Sequence, residues 1–235
     1  MPDLREQITA TARRLCLQGY TAGDGASISC RDRSGRILIT PRGGSLGELE
    51  PDRLVLLDEN GQPPRNGPRQ ALAADLHLTV YGRRGDAGAV MIMQPPAVMA
   101  FAVAAIPLVQ PAVPEIILTI GSVPLTPYTT PYTAECAAAV ELLLDSHDAL
   151  LLQGRGLLTL GPDLPGATEK VERIASLAAG LMGARALDHV GLLDGRHIDE
   201  LMALRKKLRL EGRNPWAAED PTAEEPTEDQ EEPDA

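Results

Sequence analysis

Four histidines are the side chains best suited to bind a transition metal, namely His77, His147, His189 and His197. Asp145 and His147 have the spacing of a ligand pair, but they precede a predicted strand, on a solvated turn. His189 and His197 flank a glycine-containing loop and have no third ligand close by in the sequence. Because a catalytic metal site normally needs three protein ligands, this pattern does not predict a metal centre.

Nucleophilic catalysis by lysine is also not predicted. The chain has three lysines, each in a charged part of a predicted helix: Lys170, Lys206 and Lys207. A lysine that forms a Schiff base needs a desolvated pocket to lower its pKa, whereas these positions are expected to be exposed.

The three cysteines are Cys16, Cys30 and Cys136, and they are scattered without CxxC spacing. An odd, unpatterned set is typical of reduced thiols and not of a disulfide framework or a zinc site. The N-terminus has no basic-then-apolar signal pattern. Together these features predict a cytoplasmic protein.

The net charge of −11 is concentrated at the C-terminus, where nine acids and no base follow Trp216. Such a composition predicts a disordered tail, assigned to residues 213–235 after a single domain at 1–212. Solubilising the protein and binding a partner are both open roles for this tail. The remaining chain has no basic face for nucleic acid, and no run of about 18 apolar residues predicts a membrane span.

Hydrophobic periodicity and turn residues predict an alternation of helices and strands along the body. Helices are predicted at 3–19, 70–84, 95–104, 133–146, 164–187 and 196–210. Strands are predicted at 26–31, 36–40, 53–57, 87–94, 149–153 and 157–160, with a proline-rich, β-rich segment between 105 and 132. This order indicates a central, largely antiparallel sheet that is covered by helices.

Four motifs occur in order between residues 4 and 190. They are G-D-G-A-S-I-S-C-R at 23–31, L-I-T-P-R-G-G at 38–44, L-H-L-T-V-Y at 76–81 and L-L-Q-G-R-G-L-L-T-L-G at 151–161. Each resembles a motif of the class II aldolase/adducin family, and four in register make the resemblance specific. It implies an α/β, three-layer αβα fold with a mainly antiparallel sheet, like that of fuculose-phosphate aldolase. It also implies a homo-oligomer, a tetramer in the family, and packing of the apolar 98–120 region would favour one.

In the family, three histidines hold a divalent metal that polarises the substrate carbonyl, and a glutamate moves the proton. The matching positions here are Ile92, Gln94 and Arg155 for the ligands, and Ala73 for the glutamate. Isoleucine has no donor atom, and arginine is a permanent cation. The chain is therefore identified as a degenerate member of the family in which metal-dependent aldol cleavage is not expected, and no cofactor is predicted.

Polar residues nevertheless surround the pocket that the resemblance implies: Asp24, Ser27, Ser29, Arg42, Gly43, Gln94 and Arg155. Two of them, Arg42 and Arg155, are predicted to clamp a carboxylate or phosphate. Asp24 is the predicted base, and Tyr128 and Tyr132 lie in a segment that can supply a proton donor. An open alternative is that Asp24 and Arg155 neutralise each other.

Four further residues near this pocket have altered or secondary roles. Ala71 and Leu72 replace a serine pair of the family's phosphate cradle. Among the cysteines, Cys30 is expected nearest to the pocket, as a buried bystander. His77 occupies a helix position that predicts a packing role.

Two hypotheses follow. The first is a metal-independent, lyase- or isomerase-like enzyme that acts on a small anionic metabolite with a carbonyl group. The second is a non-catalytic protein, either an adducin-like assembly module or a partner subunit of an active enzyme. Neither hypothesis involves nucleic acid or a membrane.

Overall fold

A computed structural model describes residues 3–217, and within this range the chain forms one seven-stranded sheet with helices on both faces. The strands are β1 Ser27–Arg31, β2 Ile37–Ile39, β3 Val55–Leu56, β4 Ala89–Met93, β5 Leu125–Thr126, β6 Ala149–Leu152 and β7 Gly156–Gly161. Their spatial order is β3-β2-β1-β4-β7-β6-β5. Every neighbouring pair is antiparallel except β5 with β6, which is parallel.

The helices cover the sheet because the central strands are apolar on both faces. They are α1 Leu4–Leu17, α2 Ala74–Arg83, α3 Pro96–Val103, α4 Pro114–Thr119, α5 Ala134–Glu141, α6 Leu164–Ala186 and α7 Gly195–Leu208. On one face, α1, α3 and α6 pack against alternate residues of the sheet such as Met91 and Met93. On the other face, α2 and α5 pack against Val90 and Ile92. The predicted three-layer α/β fold with a mainly antiparallel sheet is confirmed.

The strands and long helices predicted from periodicity are all present, most with shorter bounds, whereas β7 extends one residue beyond the predicted strand at each end. The largest difference lies in the segment predicted as β-rich, between 105 and 132. It contains the helix α4 and only the two-residue strand β5. Pro114 stands at the first helical position, where its fixed φ favours a helix start.

A second difference concerns the predicted strand at 53–57. Its first residues form a 3-10 turn, Pro51–Arg53, so the strand is reduced to β3. Among the described helices, none combines the length and the hydropathy that a bilayer crossing requires.

The strand directions bring several loops to one edge of the sheet, which we call the hairpin edge because the β6–β7 turn lies there. β2, β4, β5 and β6 end at this edge, while β1 and β7 begin there, as the pairs Ser27↔Ile92 and Leu152↔Gly156 show. The predicted pocket residues all lie in these connections or at these strand ends.

At the opposite edge of the sheet, the buried carboxylate of Asp148 binds three segments of the chain. Its oxygens accept hydrogen bonds from Arg84 Nη2 at 2.6 Å, Lys170 Nζ at 2.9 Å and the Arg213 amide at 3.1 Å. These contacts join the end of α2, the first half of α6 and the segment after α7. Asn214, in the same segment, is buried and donates to the Ile117 carbonyl. Of the segment predicted as a tail, residues 218–235 lie outside the described residues.

We expect Asp148→Ala to lower the free energy of unfolding by about 3 kcal/mol, because it removes the buried carboxylate shared by Arg84 and Lys170 and leaves Arg84 with the more exposed Asp86 as its counter-charge. The matched control is Asp145→Ala, since Asp145 pairs with Arg83 at the surface, where both side chains are about half exposed. Such a pair contributes at most about 1 kcal/mol. Urea unfolding of both variants measures the difference, and equal losses would contradict the assignment of Asp148 as a buried hub.

Candidate functional site

At the hairpin edge, the side chain of Gln94, which follows β4, joins two loops. Its Oε1 accepts a hydrogen bond from the Ala22 amide at 3.1 Å, and its Nε2 donates to the Arg155 carbonyl at 3.4 Å. Gly25 packs so closely on this amide group that a Cβ there would collide with it. Both polar atoms of the Gln94 amide are thus hydrogen-bonded within the protein. This geometry argues against the predicted ligand contact and assigns Gln94 to joining the two loops.

Arg155 is placed at the hairpin edge by the tight β6–β7 turn. Gly154 has φ +67° and Gly156 has φ +136°, conformations that favour glycine. A Cβ at Gly156 would collide with the Met93 carbonyl, so the close approach of β7 to β4 requires glycine there. The turn therefore holds the backbone of Arg155 in one position beside the end of β4.

The Arg155 side chain is half-buried and has an unused donor. Its guanidinium lies 4.7 Å from the centroid of the Tyr132 ring, and Nη1 lies 3.8 Å from Cys136 Sγ. The Nη2 atom is buried and has no hydrogen-bond partner. Buried donors in folded proteins are nearly always paired, so this nitrogen is an exception, and a ligand reaches it only if neighbouring side chains move.

The alternative that Asp24 neutralises Arg155 is wrong. Asp24 is exposed in the loop before β1. Across residues 3–217, no carboxylate oxygen lies within 4.0 Å of the Arg155 guanidinium. The positive charge of Arg155 thus has no protein counter-ion in the described part of the chain.

Ser27 and Ser29 do not face an open pocket. Both are buried, at 1% and 0% exposure, and their hydroxyls lie 2.7 Å from the two ring nitrogens of His77. Ser29 Oγ also lies 3.0 Å from the Tyr81 hydroxyl. The structure therefore corrects the predicted ligand contacts of the two serines, because their hydroxyls are occupied in binding α2 to β1.

The predicted packing role of His77 is confirmed by its complete burial. Burial and, to a smaller extent, the positive charge of Arg155 together lower the pKa of His77 to about 3. The ring is therefore neutral, with one nitrogen donating to a serine and the other accepting from a serine.

The other histidine with a ligand-like neighbour is also engaged. The carboxylate of Asp145 pairs with Arg83, and His147 Nδ1 lies 2.9 Å from Ser146 Oγ. The two side chains thus have separate partners, as expected for a turn and not for a ligand pair.

The positions that match the family's metal ligands offer no donor set for a dication. Ile92 is fully buried in the apolar cluster between the sheet and the helices α2 and α5, with Ala73 in the same cluster. The Gln94 amide is engaged, and Arg155 is a cation. Within the described range, no group of three or more His, Cys, Asp or Glu side chains is placed to hold a metal ion. A divalent metal does not fit this set of residues.

Arg42 and Gly43 lie in the turn that follows β2. Arg42 is exposed, and its amide donates to the Arg69 carbonyl at 2.8 Å. Gly43 and Gly44 both have positive φ, at +77° and +83°, and neither amide donates to an acceptor in the described part of the chain. Free backbone amides beside an arginine are groups that can bind an anion.

The two predicted tyrosines lie in the connection after β5, which also begins at the hairpin edge. Tyr128 is 65% exposed, and Tyr132 is 44% exposed. Only Tyr132 contacts another predicted site residue among those described, through its ring on Arg155. The structure thus brings Tyr132, Gln94 and Arg155 together, while Tyr128, Asp24 and Arg42 have no side-chain contact with them.

The site includes one residue that the sequence did not predict, Cys136. The Thr133 hydroxyl caps α5 by accepting from the Cys136 amide at 3.3 Å, which fixes the thiol beside Arg155. Cys30, the predicted neighbour, lies in the core cluster of the opposite face, where burial raises the pKa of its thiol to about 12. No sequence signal distinguishes the two thiols, because the choice depends on which helix covers which face.

The sequence and the fold match a known family. The model of the Class II Aldolase and Adducin N-terminal domain matches residues 6–181. A 3-oxo-tetronate 4-phosphate decarboxylase from Haemophilus influenzae is 28% identical over 194 residues, which cover 79% of this chain and 92% of that protein. A 5-deoxy-D-ribulose 1-phosphate aldolase from Bacillus thuringiensis is 30% identical over 207 residues, which cover 87% of this chain and 94% of that protein.

Solved structures agree with these sequence matches. YgbL from Escherichia coli superimposes with a TM-score of 0.77 at 27% identity, covering 84% of this chain and 97% of that chain. An L-fuculose 1-phosphate aldolase gives a TM-score of 0.79 at 22% identity, covering 89% of this chain and 98% of that chain, which supports the fold alone.

We expect the protein to be less stable in mild acid than at neutral pH because of His77. Its folded pKa of about 3 lies below the ordinary value of 6.5, so the unfolded chain takes up the extra proton as the pH falls. The stabilisation is complete above pH 6.5 and is lost progressively toward pH 3. One such group accounts for about 2 kcal/mol between pH 7 and pH 5.

Urea unfolding at these two pH values, compared between the wild type and His77→Gln, isolates this contribution. The variant is less stable at pH 7 but loses about 2 kcal/mol less on acidification. An identical loss in both proteins would show that His77 is protonated in the folded state.

Proposed function

This chain belongs to the class II aldolase and adducin family, and we propose that it is a divergent, metal-independent lyase- or isomerase-like enzyme. Its proposed substrate is a small anionic metabolite that carries a carbonyl group and a phosphate. The observation that carries the proposal is the buried Nη2 of Arg155, a cationic donor without a partner at the family's pocket. That the protein is a lyase-like enzyme acting on a small anionic metabolite has independent support. The relatives include a decarboxylase and an aldolase named for phosphorylated sugars or sugar acids.

The proposed phosphate site is the turn at Arg42, Gly43 and Gly44. The two glycine amides are free, and the exposed guanidinium of Arg42 adds a positive charge next to them. Backbone amides and arginine are the groups that bind phosphate most effectively in proteins. The phosphate would thus be fixed at the β2 end of the hairpin edge.

The proposed site for the reacting end of the substrate is Arg155. A guanidinium in a half-buried place binds an oxygen anion more strongly than one in water, because the local dielectric constant is lower. Loss of the metal ligands at Ile92, Gln94 and Arg155 is part of the proposal. Arg155 then supplies the fixed positive charge that a dication would otherwise provide.

Three residues are proposed to move protons, namely Asp24, Tyr128 and Tyr132. All three are exposed, so they can exchange protons with water. Tyr132 is the best placed, because its ring stacks on Arg155. A homo-oligomer, an acidic C-terminal tail and a cytoplasmic location complete the proposal.

A second candidate is a non-catalytic assembly module or partner subunit. One observation favours it: Ala73 and Ile92, at two of the family's key catalytic positions, are apolar and packed in the core. Such a protein would bind another chain and would be indifferent to small anions.

The first proposal predicts that 4-phosphoerythronate, a stable sugar-acid phosphate, raises the thermal unfolding temperature of the wild type. A ligand at about 100 times its Kd adds about 2.7 kcal/mol of stability. Arg155→Gln should abolish this shift, whereas Arg33→Gln, an exposed arginine in the turn between β1 and β2, should retain it. An absence of any shift with phosphorylated sugars and sugar acids would favour the assembly module.

The loss of the metal ligands is tested by elemental analysis of purified protein. We expect the wild type to carry far less than one equivalent of zinc, iron or manganese, and its unfolding temperature to be unchanged by EDTA. The triple variant Ile92→His, Gln94→His, Arg155→His restores three ligands and should gain zinc. One equivalent of tightly held metal in the wild type would overturn this part of the proposal.

A further inference from the structure

We propose that residues 127–132, which we call the lid, cover Arg155 with the Tyr132 ring, and that an anion binds this arginine only after the lid opens. Tyr132 is then a positioning residue, because it controls access to Arg155. The inference rests on the proposed function, since it concerns entry to the same anion site. It follows from the contacts of the lid, the backbone of Tyr132 and the burial of the guanidinium.

The lid is weakly attached to the rest of the fold. None of its residues is buried. The Thr133 hydroxyl donates to the Thr130 carbonyl at 2.8 Å, which closes a local turn. Across residues 3–217, no backbone hydrogen bond joins residues 127–132 to another element. Segments with few buried contacts and few hydrogen bonds open at a low cost in free energy.

The lid contacts the hairpin edge through the ring of Tyr132. The centroid of this ring lies 4.7 Å from the guanidinium carbon of Arg155, and Tyr132 is 44% exposed. The ring therefore lies between the guanidinium and the solvent. Arg155 Nη2 is buried without a hydrogen-bond partner, and Nη1 lies 3.8 Å from the buried thiol of Cys136. An anion can reach these nitrogens when the ring moves aside.

The backbone of Tyr132 is strained in the closed position. Its φ is +66°, in the left-handed region, which costs free energy for any residue with a Cβ. Tyr132 follows Pro131 in the local turn, and glycine is the usual residue at a turn position of positive φ. Such strain persists only where the surroundings compensate for it. The stacking on Arg155 is a contact that compensates here, so the strain reduces the net stability of the closed lid.

The ring also takes part of the place of a counter-ion. The face of an aromatic ring is electron-rich and attracts a guanidinium. Within the described chain, no carboxylate oxygen lies within 4.0 Å of the Arg155 guanidinium. A phosphate or carboxylate supplies a full negative charge and binds a guanidinium more strongly than a ring does. Binding thus exchanges a weak partner for a strong one and favours the open lid.

The lid can be tested without a ligand through the reactivity of Cys136. Its thiol is 5% exposed and lies beside the guanidinium that the ring covers. Purified protein is treated with iodoacetamide, and the alkylation of each cysteine is followed over time by peptide mass spectrometry. Cys30 is the internal control, because it is 2% exposed and lies in the core cluster of the opposite face.

Tyr132→Ala should raise the rate of Cys136 alkylation by about 10-fold, because it removes the cation–π contact that holds the lid closed. The rate at Cys30 should not change. Tyr132→Phe is the matched control, since it keeps the ring, and its Cys136 rate should stay within about 2-fold of the wild type. Tyr132→Gly removes the ring and also suits the positive φ. It should match the alanine variant and keeps the test valid if that variant does not fold.

The control of ligand access is tested by calorimetric titration with 4-phosphoerythronate. The apparent Kd is the intrinsic Kd divided by the fraction of open molecules. Tyr132→Ala should therefore lower the apparent Kd by about the same factor by which it raises the Cys136 rate. Tyr132→Phe should bind like the wild type. A purely structural role of the ring would instead weaken binding in the alanine and glycine variants.

The outcomes separate this inference from the proposed function. An unchanged Cys136 rate in Tyr132→Ala and Tyr132→Gly, or an equal rise at Cys30 in both, would refute the lid. Faster alkylation of Cys136 with unchanged or weaker binding would refute its control of ligand access. Faster alkylation of Cys136 with no binding of 4-phosphoerythronate to the wild type or any variant would retain the lid and refute the proposed function.

Discussion

The positive charge of Arg155, held at the hairpin edge without a counter-ion among residues 3–217, is the feature on which the site depends. A partly buried ion without a partner is unfavourable, so the fold must hold it in place by other means. The turn between Gly154 and Gly156 fixes its backbone, and the Tyr132 ring and the Cys136 thiol fix its side chain. Its charge also acts on the interior, where it helps to keep His77 neutral.

The scaffold around this charge is rigid because its polar groups satisfy one another. His77 joins β1 to α2 through Ser27 and Ser29, and Gln94 joins the loop before β1 to the β6–β7 turn. In a low-dielectric interior, a fully paired network of this kind is stable, whereas one missing partner is costly. The unpaired Nη2 of Arg155 is therefore informative, since the side chains of Ser27, Ser29, His77 and Gln94 at this edge have found partners.

The sequence predicted the fold well, because periodicity and motifs determine strands such as β4 and helices such as α6. It predicted the site less well, for a physical reason. The central strands are apolar on both faces, so alternation shows that Ser27, Ser29 and Cys30 are buried but not which face each occupies. The contacts of Cys136 and the occupation of the two serines by His77 depend on which helix covers which face. The prediction for the proline-rich segment between 105 and 132 was wrong for a different reason. Pro114 starts a helix, whereas proline had suggested irregular or extended chain.

Replacing a dication with a guanidinium changes which reactions a pocket can support. A metal acts as a Lewis acid and lowers the pKa of a bound hydroxyl, so that a weak base suffices. A guanidinium cannot do this, because it binds oxygen only through hydrogen bonds and carries a single positive charge. It can still stabilise an anion that forms on one oxygen in a fixed direction. Under the proposed exchange of a dication for Arg155, and with Ala73 at the glutamate position, the pocket is suited to reactions that need a fixed positive charge at one oxygen and no metal-activated group.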